Sequence, residues 1–174
     1  MGTVLIFPIL AQMDDFRETK RKTITPQQAK SKAEAYCVYQ ERSQQEVRDK
    51  LYSLGLHKSD VETIITDLIG ENFLNEERFA LAYAAGRFRM KGWGRHKIKQ
   101  GLKQKSVSAP LIRAALASLD EQEYRAKLHD LLQAKARTER ETHTYKRKHK
   151  LLRYALGKGF ESELIMELLN DNDL

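Results

Sequence analysis

The sequence predicts an all-α protein of three tandem three-helix repeats, about nine helices stacked into an elongated, curved body. Three observations predict it. Helix start and stop signals recur along the chain, apolar residues between them fall at helical spacing, and the same apolar pattern returns at two fixed offsets. Breakers are scarce in the 174 residues, with 9 Gly and 3 Pro, so the frequent turns that a sandwich or barrel needs are missing. Hydrophobic residues make up 41% and charged residues 32%, which is polar but not the composition of a disordered chain. No run of about 18 apolar residues is present, so no membrane span is expected. The single cysteine, Cys37, excludes a disulfide scaffold and fits a reducing compartment, with a cytoplasmic location expected.

Residues 1–24 read as an N-terminal tail. Their first stretch, MGTVLIFPILAQM, is apolar but lacks the basic start of a signal peptide. A short strand or a loose tail fits it better, and a natural start at Met13 is a further reading.

The first repeat spans 25–73, with helices expected at about 26–41, 43–54 and 59–70. Thr25-Pro26-Gln27-Gln28 places a capping Thr, a first-position Pro and a third-position Gln. Ser43-Gln44-Gln45-Glu46 and Ser59-Asp60-Val61-Glu62 both read as capping boxes, and Gly55 as a left-handed helix stop. Val47, Leu51 and Leu54, then Val61, Ile64, Ile65 and Leu68, form stripes of helical period.

An offset of 51 turns Val47 into Ile98, Leu51 into Leu102, Leu56 into Val107 and Val61 into Ile112. An offset of 104 gives Leu151, Ala155, Phe160 and Ile165 at the same places, with Gly55 becoming Gly159. The second repeat is therefore 74–119 and the third 120–174. Units this small bury little surface alone, so stacked neighbours are expected to share cores. Each unit is coarsely like a helix-turn-helix, yet base reading is disfavoured. The third helices open with Ser59, Asp60 and Glu62 in unit one, and Ser108, Ala109 and Pro110 in unit two.

The net charge of +7 is segregated. Residues 1–77 carry 10 Lys/Arg against 13 Asp/Glu, residues 120–174 carry 11 of each, and residues 78–119 carry 10 Lys/Arg with no acid. A block of that kind points to a polyanion or an acidic surface as partner. Candidate binding residues are Arg87, Arg89, Lys91, Trp93, Arg95, Lys97, Lys99 and Lys103. Gly92 and Gly94 break the chain between two helices, and free backbone N–H groups are expected there as an anion site. Trp93 reads as a packing plug over the seam between units, or as a stacking residue. A second cluster, Lys146-Arg147-Lys148-His149-Lys150, lies in the neutral third. No catalytic group, metal set or cofactor is expected: the five His have no defensible ligand partners, and Gly157-Lys158-Gly159 lacks the context of a phosphate loop. Cys37 reads as a small core residue.

Several stretches resemble the RecX regulatory proteins. Leu68-Ile69-Gly70-Glu71-Asn72-Phe73-Leu74-Asn75-Glu76-Glu77-Arg78-Phe79-Ala80 is similar to that family's junction between units. Tyr83, Arg87, Gly92 and Gly94-Arg95-His96-Lys97-Ile98-Lys99-Gln100-Gly101-Leu102 resemble its central signature. Ser43, Glu46-Val47-Arg48, Leu51 and Gly55 resemble the first unit, and Leu151-Leu152-Arg153-Tyr154-Ala155 with Lys158-Gly159-Phe160 the third. Departures are Asn75 for an acid, Ser106 for a Gly and Ala155 for a larger aliphatic residue. The resemblance implies a non-enzymatic monomer without cofactors. It implies binding in the groove of the RecA–single-stranded-DNA filament, bridging subunits and holding back ATP hydrolysis, strand exchange and self-cleavage of the SOS repressor. The basic block alone would fit a generic nucleic-acid-binding helical repeat, or a scaffold for acidic proteins.

Overall fold

A computed structural model describes residues 24–171; the expectations for residues 1–23 lie outside the described residues. Among the described residues there are nine helices and no strand. They are α1 (Pro26–Tyr39), α2 (Gln44–Ser53), α3 (Lys58–Gly70), α4 (Glu76–Lys91), α5 (Arg95–Gln104), α6 (Ala109–Ala117), α7 (Glu121–Thr138), α8 (Thr144–Lys158) and α9 (Ser162–Asp171). Their main helix-to-helix packing is within the triads α1–α3, α4–α6 and α7–α9.

Local chemistry sets the helix ends. The Thr25 and Ser43 hydroxyls accept the amides of Gln28 and Glu46, whose side chains accept the capping residues' own amides in return. Asn75 caps α4 by accepting the Arg78 amide, and Asp120 caps α7 by accepting that of Glu123. The expected box at Ser59 does not form. Helix α3 starts at Lys58 behind His57, which places Ser59 inside the first turn. Glu62 turns instead to Arg48, which donates through Nε and Nη2 at 2.9 and 3.1 Å. Ser108 holds the N-cap position of α6 but makes no side-chain cap bond.

The positions linked by the two sequence offsets are the ones that go inside. Val47, Ile98 and Leu151 are all fully buried, as are Val61, Ile112 and Ile165 to within a few per cent. The turn after the second helix is left-handed in every unit: Gly55 has φ +89°, Gly159 +91° and Ser106 +59°. Cys37 is a buried free thiol in the first unit, and burial pushes its pKa up.

Core sharing is only partial. Units two and three form one continuous apolar core from Phe79 to Leu169. Unit one keeps its own, from Ala29 to Leu74. The joint between units one and two is bridged by polar contacts: Lys105 pairs with Glu46 at 2.8 Å, and Arg78 reaches Glu41 at 2.9 Å and Asn72 at 2.8 Å. The reason lies in the junction sequence. Leu74 turns back into the first core while Phe79 and Ala80 enter the second, so Asn75–Arg78 between them carry polar side chains into the joint.

Candidate polyanion-binding surface of the middle unit

The eight candidate residues sit on the end of α4, the turn after it, and α5. Helix α4 stops because Gly92 takes a left-handed conformation, φ +60°, and its amide bonds back to the Phe88 carbonyl at 3.0 Å. Trp93 follows, half-buried against the core of units two and three. The Arg87 guanidinium lies 5.3 Å from the Trp93 ring and 4.8 Å from Tyr83, and Lys97 Nζ lies 5.1 Å from Trp93. Those distances are within the range of cation–π attraction. Lys97 Nζ also donates to the Gly157 carbonyl at 3.1 Å. Trp93 is thus a plug at the seam whose ring already holds two cations.

The expected free N–H groups at this turn are taken. Gly94 N–H donates to the Lys158 carbonyl at 2.9 Å, Arg95 N–H to the Tyr124 hydroxyl at 2.8 Å, and His96 N–H to the Gly159 carbonyl at 3.0 Å. The C-terminal end of α8 therefore satisfies the N-terminal end of α5. Carbonyl-end and amide-end partial charges meet there and favour each other. The amides of Gly94, Arg95 and His96 are thus occupied and not free for an anion.

Arg95 turns into the seam. It donates to Glu121 at 2.7 Å, lies 3.6 Å from Glu161, and stacks 4.0 Å from the Tyr124 ring. Tyr124, which no sequence signal singles out, is the centre of this joint. It is fully buried and its ring packs against Phe88 at 5.6 Å and Phe160 at 5.0 Å. Its hydroxyl accepts from Arg95 N–H and donates to Glu161 at 2.7 Å. Burial raises the pKa of its phenol well above the usual value.

The remaining cations divide. Arg89 faces Glu123 at 3.4 Å in an exposed pair, worth little energetically. Lys91, Lys99 and Lys103 are exposed and have no ion pair among the described residues. Lys99 and Lys103 are one turn apart on the same face of α5. Lys97 lies about 160° away from Lys99 around the helix axis at about 100° per residue. The structure therefore gathers Arg87, Trp93 and Lys97 at the seam, fixes Arg95 within it, and leaves Lys99 and Lys103 on a separate outward face. Acids of unit three, Glu121, Glu123 and Glu161, neutralise part of a block that contains no acid of its own.

Family models for RecX match in chain order: the first three-helix domain over residues 29–68, the second over 75–116 and the third over 121–169. The Regulatory protein RecX of Clostridium botulinum (strain Eklund 17B / Type B) is 30% identical over 132 residues, covering 75% of this chain and 61% of that protein. The chain thus spans about six-tenths of the length of that relative. The Regulatory protein RecX of Acinetobacter baylyi is 28% identical over 155 residues, covering 88% of this chain and 93% of its own. The crystal structure of RecX from Lactobacillus salivarius superposes with a TM-score of 0.76 at 26% identity, covering 85% of this chain and 96% of that one. With all three three-helix domains matched in order and the same fold in a solved relative, the chain belongs to the RecX family of regulatory proteins.

Proposed function

We propose that this protein binds the RecA–single-stranded-DNA filament and restrains its ATPase, strand-exchange and co-protease activities. The observation that carries the reading is the order of the three matched domains around a middle unit of 42 residues without an acid, residues 78–119. The outward cations Lys91, Lys99 and Lys103 are the ones available to a polyanion or to acidic protein surface. The apolar core shared by units two and three holds them on one stiff body. A regulator of this kind acts by occupying the filament, as a monomer, and needs no catalytic group, metal or nucleotide of its own. Its place of action is the bacterial cytoplasm.

The test is RecA ATP hydrolysis on single-stranded DNA in excess, with this protein titrated far below RecA. A fall at substoichiometric ratios supports the filament as target, since so little protein cannot sequester the DNA. The basic block alone favours a second reading, generic nucleic-acid binding. That reading requires inhibition only when the protein rivals the DNA in amount, and a log–log salt slope of about −0.7 per phosphate contact.

A further inference from the structure

The basic run at the start of α8 is not uniform. Arg147 donates to the Ala136 and Glu139 carbonyls at 2.8 and 3.0 Å, closing the end of α7. Lys150 pairs with Glu139 at 2.9 Å and lies 3.7 Å from Glu141. These two cations belong to the fold. Lys146 and Arg153 have no ion pair among the described residues, and both line an open groove of about 530 Å³ beside Tyr145 and His149. Glu141 also lines it, but Lys150 already faces that carboxylate.

Tyr145 is 68% exposed, so the face of its ring is open to a ligand. The ring is held in position. His149 meets it edge-on with centroids 4.7 Å apart, and His149 Nε2 lies 3.0 Å from the Tyr145 hydroxyl. Tyr145 and His149 also border a second, apolar slot of about 130 Å³, lined besides by Lys148, Leu152, Met166, Leu169 and Asn170. A cavity of about 150 Å³ takes one benzene ring, so this smaller, half-open slot admits one edge of a flat ring and not a base pair. Tyr145 and His149 thus line both an apolar slot and a cationic groove.

We propose that α8 and α9 form a binding notch for single-stranded nucleic acid. An unpaired base stacks on Tyr145 with one edge in the apolar slot, and its phosphate lies in the groove between Lys146 and Arg153. Stacking on a fixed ring with phosphates on flanking cations is the usual chemistry of single-strand recognition, and it excludes duplex because paired bases are not free to enter. An acidic peptide would use the cations, but it would need an aromatic residue in register with its carboxylates to use Tyr145 as well, whereas every nucleotide pairs a ring with a phosphate. The site is separate from the α4–α5 surface and goes beyond the filament reading, since it requires no RecA.

The experiment is fluorescence anisotropy of the full chain with a labelled oligothymidylate and with a duplex, together with NMR of the Tyr145 and His149 rings. Tyr145→Ala is expected to weaken oligothymidylate binding about five- to a hundredfold and to leave duplex binding unchanged, while Tyr145→Phe retains most of the affinity. Lys146→Ala with Arg153→Ala is expected to flatten the salt slope by about 0.7 for each phosphate no longer held. Ring-current shifts at Tyr145 on adding oligothymidylate report the stacking even if the middle unit also binds the strand. Wild-type affinity in Tyr145→Ala with unshifted rings overturns the proposal. So does an equal loss for duplex and single strand, or stronger binding of polyglutamate than of oligothymidylate at these residues. Tyr145 is outside the core, so its replacement leaves folding intact. Failure here with ATPase inhibition preserved would remove the notch and leave the filament reading standing.

Discussion

Gly94 and Gly159 meet backbone to backbone, 65 residues apart in sequence, and their contact fixes the second unit to the third. A Cβ on Gly94 would run into the Gly159 carbonyl, and one on Gly159 would run into Lys97. No side chain can yield at the first position, because the obstacle is main chain. Gly94→Ala is therefore expected to break the amide bonds to Lys158 and Gly159 and to destabilise the α4–α9 body by about 1–3 kcal/mol or more. Urea denaturation checks this. An unchanged midpoint would mean that the two main chains can part without cost.

Ser106 is the counterpart of Gly55 and Gly159 and holds the same left-handed backbone at φ +59° with a side chain attached. A non-glycine residue there carries about 1 kcal/mol of steric cost. Ser106→Gly is expected to stabilise the protein by about 0.5–1 kcal/mol, read as a higher urea midpoint with unchanged slope. A lower midpoint would show that the added chain freedom in the unfolded state outweighs the strain relieved.

The phenol of Tyr124 is the only polar group in the sandwich of Phe88, Tyr124 and Phe160; it accepts from the Arg95 amide across the seam and donates to Glu161 within its own unit. Tyr124→Phe keeps the packing but leaves the Arg95 amide without its acceptor, at a cost of about 1–3 kcal/mol. Its burial also has a pH sign. The folded state favours the protonated phenol, so this contribution is complete below the ordinary pKa of 10.0 and falls away as pH rises above it. Alkaline unfolding of the wild type and of Tyr124→Phe should therefore converge at high pH.

The joints at Gly94 and Tyr124 and the turn at Ser106 mark what a single sequence carries and what it does not. Val47, Ile98 and Leu151 announce their burial because a helix must repeat apolar residues on one face, and a fixed offset of whole units preserves that phase. Gly55 and Gly159 announce turns because few other residues accept their backbone. The seam left no such trace. Gly94 looks like a loop breaker with free amides until Lys158 and Gly159 arrive from another unit. Arg95 looks like one more outward cation until Tyr124 and Glu121 draw it in. Ser59 and Glu62 have the right spacing for a box, but Arg48, from the neighbouring helix, competes for the same carboxylate. Local rules describe one helix at a time, and these outcomes depend on pairs of helices.

Glu139 ends α7 between Lys135 at 3.1 Å and Lys150 at 2.9 Å, and hydrogen bonds from Lys150 and then Lys135 hold its carboxyl down to about 2 from the ordinary 4.5. A lowered folded pKa gives stability that is present above the unfolded value and lost as pH falls through the folded one. The window is thus from about 4.5 down to about 2. Glu139→Gln removes the titration. The melting-temperature gap between wild type and variant should be widest near neutral pH and close across that window. A constant gap would show that Lys135 and Lys150 do not act on this charge.

Lys97 and Lys99 are close in sequence but belong to different surfaces, and this separates two ways in which the middle unit could touch a filament. Lys97 is engaged by Gly157 and Trp93, so Lys97→Glu attacks the seam as well as any binding face. Lys99→Glu with Lys103→Glu alters charge alone on an exposed face. If the polyanion lies on that face, the double variant should lose most inhibition of RecA ATP hydrolysis while its urea midpoint stays at the wild-type value. Lys97→Glu should lower the midpoint and inhibition together. Full inhibition by the double variant would move the binding face off α5, leaving Lys91 and the α8 notch as the cationic surfaces to test next. Raising salt provides an independent check, because two fewer phosphates held should flatten the log–log slope by about 1.4 on single strands.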